Sequence, residues 1–344
     1  MLTPKSLKVA FLIFFILYAF ACDKGFHSEH AKLPTSPDVE DTPGSPDTPD
    51  DPGFTGSSND TLYIYCLDVG QGDATLIVSP SGQTVLIDAG NNGKGKSEVV
   101  PFLRELGITR LDFIIATHYH SDHIGGIDEV IDSLSIDSVG TVYDRGWSYT
   151  TATYDSFETH AGSKRATIED DQVIPLGPEI YLKCVALNGN GVLDEPFTQP
   201  PHDENDLCVA LTVTYGKFDF FVAGDLSGSD LGGYTDVETS LAPEVGEVDV
   251  YQVNHHGSQY SSNQFFVDVL QPIVSVISVG SNSYGHPSSV VIERLEAIGS
   301  EIYQTEDADG SVIDGDITIK VDCTNFWVNG DPYGCTWVPW TEGE

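Results

Sequence analysis

The segment Thr117-His118-Tyr119-His120-Ser121-Asp122-His123 places three imidazoles and a carboxylate within six positions, directly after the apolar run Phe113-Ile114-Ile115-Ala116. Neutral imidazole and carboxylate are borderline and hard donors, a set that suits Zn²⁺ and, less selectively, Mn²⁺ or Fe²⁺. Side chains alternate along extended chain, so His118 and His120 share a face, and the turn that follows can carry Asp122 and His123 to a neighbouring position. One short segment can thus serve two divalent ions. Other polar residues also close apolar runs: Asp88 after Val85-Leu86-Ile87, Asp225 after Phe220-Phe221-Val222-Ala223-Gly224, and His255 and His256 after the run from Val248 to Asn254. Each alone reads as a cap or turn. In company with the histidines they read as side chains converging on one sheet edge.

A bridged pair of divalent ions lowers the pKa of the water between them and neutralises charge on a phosphoryl or acyl oxygen under attack. Asp122 and Asp225 are the carboxylates expected at that chemistry. His286, in Gly285-His286-Pro287, is a candidate to protonate a leaving group or to bond a substrate oxygen, with a structural turn as the competing reading. Asp68, Gln71 and Asp73 build a glycine-bearing loop, whose alternatives are substrate contact and simple turn formation.

The elements that must position these groups are strand-rich at first and then alternate. Leu62 to Asp68, Ala74 to Ser79 and Gln83 to Asp88 read as strands separated by turns. Lys96 to Gly107 reads as an amphipathic helix closed by glycine, Phe113 to Ala116 as a short buried strand, and Ile124 to Leu134 as a helix. Beyond a weaker strand at Ser138 to Tyr143, the polar and aromatic stretch Asp144 to Pro175 reads as a loop-and-helix lid. A second strand set follows at Ile180 to Leu187, Leu207 to Tyr215, Phe218 to Ala223, Val248 to Val253 and Ile273 to Val279, with helices near Gln264 to Leu270 and Ser288 to Gly299. Two sets of strands with helices outside imply two packed sheets flanked by helices.

His-x-His-x-Asp-His resembles the signature of the metallo-β-lactamase superfamily of hydrolases. With Leu67-Asp68-Val69-Gly70-Gln71-Gly72-Asp73-Ala74, Leu86-Ile87-Asp88-Ala89-Gly90, Ala223-Gly224-Asp225, His255-His256-Gly257-Ser258 and Tyr284-Gly285-His286-Pro287, it looks like the hydrolase domain of ComEC-type competence proteins, over roughly Thr61 to Val321. The resemblance implies an α/β fold, the αββα four-layer sandwich, and two divalent metal ions, Zn²⁺ first and Mn²⁺ as the alternative. It implies that His118 and His120 hold the first ion, that Asp122 and His123 hold the second, and that Asp225 bridges them. Either His255 or His256 completes the second site; the His-x-Gly-Ser form favours His255, with His256 beside the substrate. Asp88 becomes the carboxylate that orients ligand imidazoles. The superfamily's third histidine for the first ion is missing from His202-Asp203-Glu204-Asn205-Asp206-Leu207, where Asn205 matches the ComEC-type asparagine.

Residues 1–21, with Lys5, Lys8 and the apolar stretch Val9 to Ala21, read as a signal peptide. Ala19-Phe20-Ala21-Cys22 resembles a loose lipobox, so lipidation at Cys22 and ordinary secretory cleavage are both expected routes to an exported protein. Residues 22–60, rich in Pro, Asp, Ser and Thr, form a tether that cannot bury a core, and residues 61–344 form the hydrolase domain. Cys323 and Cys335 lie in the C-terminal extension 321–344 and are expected to form a disulfide in an exported protein. Cys66, Cys184 and Cys208 read as buried small side chains.

The chain carries 53 acidic and 15 basic residues, a net charge of −38. Setting aside residues 1–60, with 9 acids and 4 bases, leaves 44 acids against 11 bases. Such a surface repels polyanions and offers few cations for counterion release, although solubility in a saline habitat accounts for it equally well. The expected function is an exported dinuclear phosphodiesterase, with DNA as the substrate the resemblance suggests. Competing readings are hydrolysis of small or cell-surface phosphoesters such as phosphocholine, a β-lactamase, and a binding module with structural metals. A lipid anchor is the expected route to a membrane, and no protein partner is evident.

Overall fold

A computed structural model describes residues 60–322 and 324–335. The expected signal peptide, Cys22, the tether and the Cys323 half of the expected disulfide lie outside these residues.

Six strands open the fold: β1 (Leu62–Cys66), β2 (Thr75–Val78), β3 (Thr84–Ile87), β4 (Leu111–Ile115), β5 (Val139–Asp144) and β6 (Arg165–Thr167). Seven more make a second sheet: β7 (Val173–Gly177), β8 (Ile180–Ala186), β9 (Ala210–Tyr215), β10 (Phe218–Val222), β11 (Val250–Gln252), β12 (Val274–Ile277) and β13 (Glu301–Gln304). The chain then returns to the first sheet with β14 (Ile317–Val321), β15 (Asn325–Val328) and β16 (Asp331–Gly334). Strand order is β16-β15-β14-β1-β2-β3-β4-β5-β6 in the first sheet and β13-β12-β11-β10-β9-β8-β7 in the second.

Period-two alternation sends side chains to opposite faces of each strand. Ile64 and Cys66 of β1, Val85 and Ile87 of β3, and Phe218, Phe220 and Val222 of β10 meet in one core between the sheets. Tyr65, Leu76 and Leu86 face the other way, against α1 (Val100–Glu105), α3 (Ile127–Leu134) and α4 (Ala152–Ala161), where α2 is the single turn Ser121–Ile124. Phe221, Tyr251 and Ile277 face α5 (Glu238–Val245), α6 (Gln264–Leu270) and α7 (Ser289–Ala297). Three cores separate four layers, which is the αββα sandwich.

The two halves share one directional feature. Strands β3 to β6 run parallel to one another, as do β10 to β13. Parallel strands end on the same edge, and crevices outside carboxyl ends of such strands are where ligands bind. Asp88, the histidine segment, Asp225 and the His255-His256 pair all follow such ends.

Three expectations need correction. The helix expected over Lys96 to Gly107 begins as a π-helical turn at Gly95–Val99, and a Cβ on Gly95 would lie 2.0 Å from the Gly126 carbonyl oxygen. The helix expected from Ile124 is broken at Gly125-Gly126; a Cβ on Gly126 would lie 2.2 Å from the Ala89 carbonyl oxygen, so only glycine lets α3 approach the turn after β3. The expected lid is a wall: Tyr154, Phe157 and Ala161 of α4 are buried, and β6 and β7 extend the two sheets. Full burial of Phe157 alone is worth roughly 2 to 3 kcal/mol.

Candidate metal centre

The turn after β4 is built to present imidazoles by one nitrogen. Asp88, following β3, accepts from the Thr117 backbone N–H at 2.9 Å and from the Thr117 hydroxyl at 2.7 Å. With its proton committed to Asp88, the Thr117 oxygen accepts the Nδ1 proton of His118 at 3.0 Å, which leaves His118 Nε2 as the free donor. Asp88 also accepts the Nδ1 proton of His123 at 2.8 Å, and the Ser278 carbonyl accepts that of His256 at 2.8 Å. Three rings are thus anchored behind and present Nε2 forward. Gly224 brings β10 against this turn: at its φ of +52° a Cβ would lie 2.4 Å from Thr117 Oγ1.

Those nitrogens surround Asp225, whose two oxygens face different neighbours. His123 Nε2 lies 3.1 Å and His256 Nε2 3.4 Å from Oδ1, and His256 Nε2 lies 3.6 Å from Asp122 Oδ2. On the other side His118 Nε2 lies 3.8 Å from Oδ2 and 3.1 Å from His120 Nδ1. Donor atoms about 2.0 to 2.1 Å from a tetrahedral ion stand roughly 3.3 Å apart, so these separations are compatible with donors gathered around divalent ions, with Asp225 common to both groups. Two donor groups share Asp225, namely Asp122, His123, Asp225 and His256, and His118, His120 and Asp225, while Asp73, Asp88 and His123 form a third group behind them. His123 Nε2, His256 Nε2 and Asp225 Oδ1 are buried without a hydrogen-bond partner. Buried polar atoms are normally paired, and three that converge on one point fit a cation.

The charges agree. Burial opposes ionisation of Asp122, yet the His256 and His123 imidazoles bring its carboxyl down to about 2. Burial likewise opposes Asp225, and His255, His123 and His256 hold it well below the carboxylate range. Burial disfavours imidazolium at His123 and His256, but the neighbouring carboxylates, Asp225 foremost, raise both well above the ordinary histidine value. At His118 burial wins, helped by His123, and its pKa falls well below that value. A cation bound by these donors would compete with protons for the His123 and His256 imidazoles.

Of the two histidines left open for the second site, His256 is the one grouped with Asp122, His123 and Asp225, although the His-x-Gly-Ser form favours His255. Asp73 lies behind the centre, with its carboxylate 3.4 Å from His256 Nδ1 and 3.9 Å from His123 Nδ1. Asp68 stays out, capping its own loop by accepting from the Gly70 backbone N–H. Gln71, Asn205 and His286 line a cleft of about 390 Å³ that opens over Asp122, Asp225, His255 and His256, with Tyr234, Tyr260 and Tyr284 also around it. His286 is displaced down to about 4 by burial and by His255 and His256, so it is a neutral imidazole near pH 7.

Sequence reasoning missed the brace beneath the motif. Arg145, fully buried, grips Glu204 with Nε at 2.8 Å and Nη2 at 2.7 Å, and its guanidinium lies 4.4 Å from the Tyr119 ring centroid. Glu204 Oε1 accepts from the Tyr119 backbone N–H at 3.0 Å, between His118 and His120. Asn282 was also missed: its Oδ1 accepts from the backbone N–H groups of Tyr284, Gly285 and His286, shaping the turn that carries His286. Neither has a local pattern to announce it.

Residues 67–280 match the family model described as the metallo-beta-lactamase superfamily. The chain is 29% identical over 258 residues to Recombination protein 2 of Haemophilus influenzae, covering 73% of this chain and 29% of that protein. It is 26% identical over 257 residues to ComE operon protein 3 of Bacillus subtilis, covering 70% and 31%. The chain thus spans about three tenths of the length of these relatives. A shorter stretch of 76 residues is 32% identical to Endoribonuclease ysh1 of Aspergillus fumigatus, covering 21% of this chain and 9% of that protein.

Proposed function

Since the chain belongs to the metallo-beta-lactamase superfamily, we propose that it is an exported dinuclear metal hydrolase that cleaves phosphodiesters. The observation that carries this reading is Asp225, whose two oxygens face two separate groups of imidazole and carboxylate donors. Structural zinc sites are closed mononuclear tetrahedra, whereas a shared carboxylate under an open cleft is an arrangement for chemistry. His118, His120 and Asp225 would hold one ion, and Asp122, His123, His256 and Asp225 the other. When bound, the pair would supply Lewis acidity toward a phosphoryl oxygen and lower the pKa of water.

The residues of the chain do the rest. Asp88, Thr117 and Ser278 fix the ring orientations, so the donors are set before substrate arrives. His286 faces the cleft as a neutral imidazole, able to donate from one nitrogen to a substrate oxygen or accept at the other. Gln71 and the three tyrosines offer polar and aromatic contacts to groups flanking the phosphate.

The 76-residue similarity to an endoribonuclease supports a nucleic-acid phosphodiester as substrate. A second reading, a small or cell-surface phosphoester, is favoured by the cleft's lining, which among the described residues contains no Lys or Arg. Arg165 is also committed elsewhere, since it pairs with Asp144 and Glu158. Export, by signal peptide with or without lipidation at Cys22, completes the reading, and fractionation of cells with a Cys22→Ser control tests it. Purified protein with Zn²⁺ or Mn²⁺, assayed on bis-p-nitrophenyl phosphate, single-stranded DNA and nitrocefin, tests the chemistry. Cleavage of the phosphodiesters supports the proposal, and cleavage of nitrocefin alone refutes it.

A further inference from the structure

His255 and His256 are consecutive residues in the left-handed region, at φ 54°, ψ 42° and φ 54°, ψ 25°, and Gly257 follows at φ +78°. A non-glycine residue held there is strained, and such strain persists only where the surroundings impose it. In extended chain two neighbours would point to opposite faces, and in a helix they would be about 100° apart. This turn instead spreads the two rings around a single carboxylate. His256 Nε2 goes to the Asp225 oxygen shared with His123, and His255 Nε2 goes to the other oxygen, at 3.6 Å, the one that His118 approaches at 3.8 Å.

We propose that His255 is a ligand of the first ion, supplying the imidazole that the segment around Asn205 does not. This rests on the dinuclear reading above. On that reading the first site has His118, His120 and one oxygen of Asp225, one donor short of the four at the second. His255 stands beside the same oxygen at a polyhedron-edge separation. Among the described residues its ring has no short anchor comparable to the Thr117 hydroxyl, the Asp88 carboxylate and the Ser278 carbonyl that fix His118, His123 and His256. Its polar neighbour is the Asn205 amide, 3.4 Å from each ring nitrogen. Asn205 is the rival donor, since its Oδ1 is buried without a partner. The ring can displace that amide by coordinating, and the amide then becomes a contact to the ligand imidazole.

Glycine relieves the left-handed strain at 255, so His255→Gly should fold, which thermal melting of the ion-free protein checks. The test is binding of Zn²⁺ and Co²⁺ by calorimetry and by cobalt absorption, on wild type, His255→Gly, His256→Gly and Asn205→Ala, none of which depends on turnover. The expected result is that His255→Gly weakens one of two sites by about 100-fold or more, since loss of a ligand should exceed the 10- to 100-fold cost of losing an outer partner. Free imidazole should restore the lost cobalt signal, His256→Gly should weaken the other site, and Asn205→Ala should retain both ions. Two wild-type affinities in His255→Gly, or loss of the first ion in Asn205→Ala instead, would overturn the assignment. A protein that binds two ions in this pattern yet cleaves no phosphodiester would leave His255 assigned and the substrate reading refuted.

Discussion

Asp88 and His123 are joined at 2.8 Å, carboxylate to Nδ1, with both side chains buried. The bond fixes which nitrogen faces Asp225. Asp88→Asn is expected to weaken divalent-ion binding by about 10- to 100-fold, the usual effect of removing such an outer carboxylate. Zn²⁺ titration at neutral pH measures this, and unchanged affinity would show that the ring is held by packing alone.

Arg145 and Glu204 form a fully buried bidentate pair under the histidine segment. Arg145→Met strands a buried carboxylate and is expected to cost about 3 to 5 kcal/mol, while adding Glu204→Leu should recover a large part of it. Urea unfolding of the single and double variants checks both figures. A cost below 1 kcal/mol for the single change would mean that the brace is structurally idle.

Glu238 accepts from the Ser262 and Asn263 backbone N–H groups and from the Asn254 amide, pinning the loop that follows β11. Burial outweighs those donors and raises its pKa from 4.5 to about 7. An acid raised on folding keeps its proton longer folded than unfolded, so its contribution to stability falls as pH rises from 4.5 to 7 and is level above. The fall is worth roughly 3 kcal/mol. Unfolding free energies across that range should drop more steeply for wild type than for Glu238→Gln. Parallel curves would contradict the shift.

With no Lys or Arg among the described residues that line the cleft, few phosphates of a long strand can be neutralised there. If single-stranded DNA is cleaved, the logarithm of affinity should fall with the logarithm of salt with a slope of about −2, corresponding to two or three contacts at roughly −0.7 each. Comparing a dinucleotide with a long strand across salt measures this. A steep slope with strong length preference would reveal a basic track elsewhere.

Strands β1 to β5 and β8 to β12 and the ligand-rich segment were legible because apolar runs such as β1 and β3, and ligand residues six positions wide, are local signals, whereas the edge strands β6, β7 and β13 and the returning strands β14 to β16 were not read. Tyr154, Phe157 and Ala161 keep a helical spacing, but polar neighbours dilute it, so a packed wall read as a lid. The division of labour between His255 and His256 was not legible, because two left-handed residues abolish the alternation from which facing directions are inferred. Arg145 and Glu204 stand 59 residues apart, and only tertiary structure brings them together.

The central claim is that one carboxylate serves two ions, and metal content of the purified protein tests it most directly. Wild type is predicted to approach two ions per chain after dialysis against trace metal, and Asp225→Ala, which keeps the outer histidines, is predicted to lose both. Asp122→Ala should lose the second ion and most activity. A protein fully active with a single ion, and indifferent to Asp122→Ala, would contradict the account.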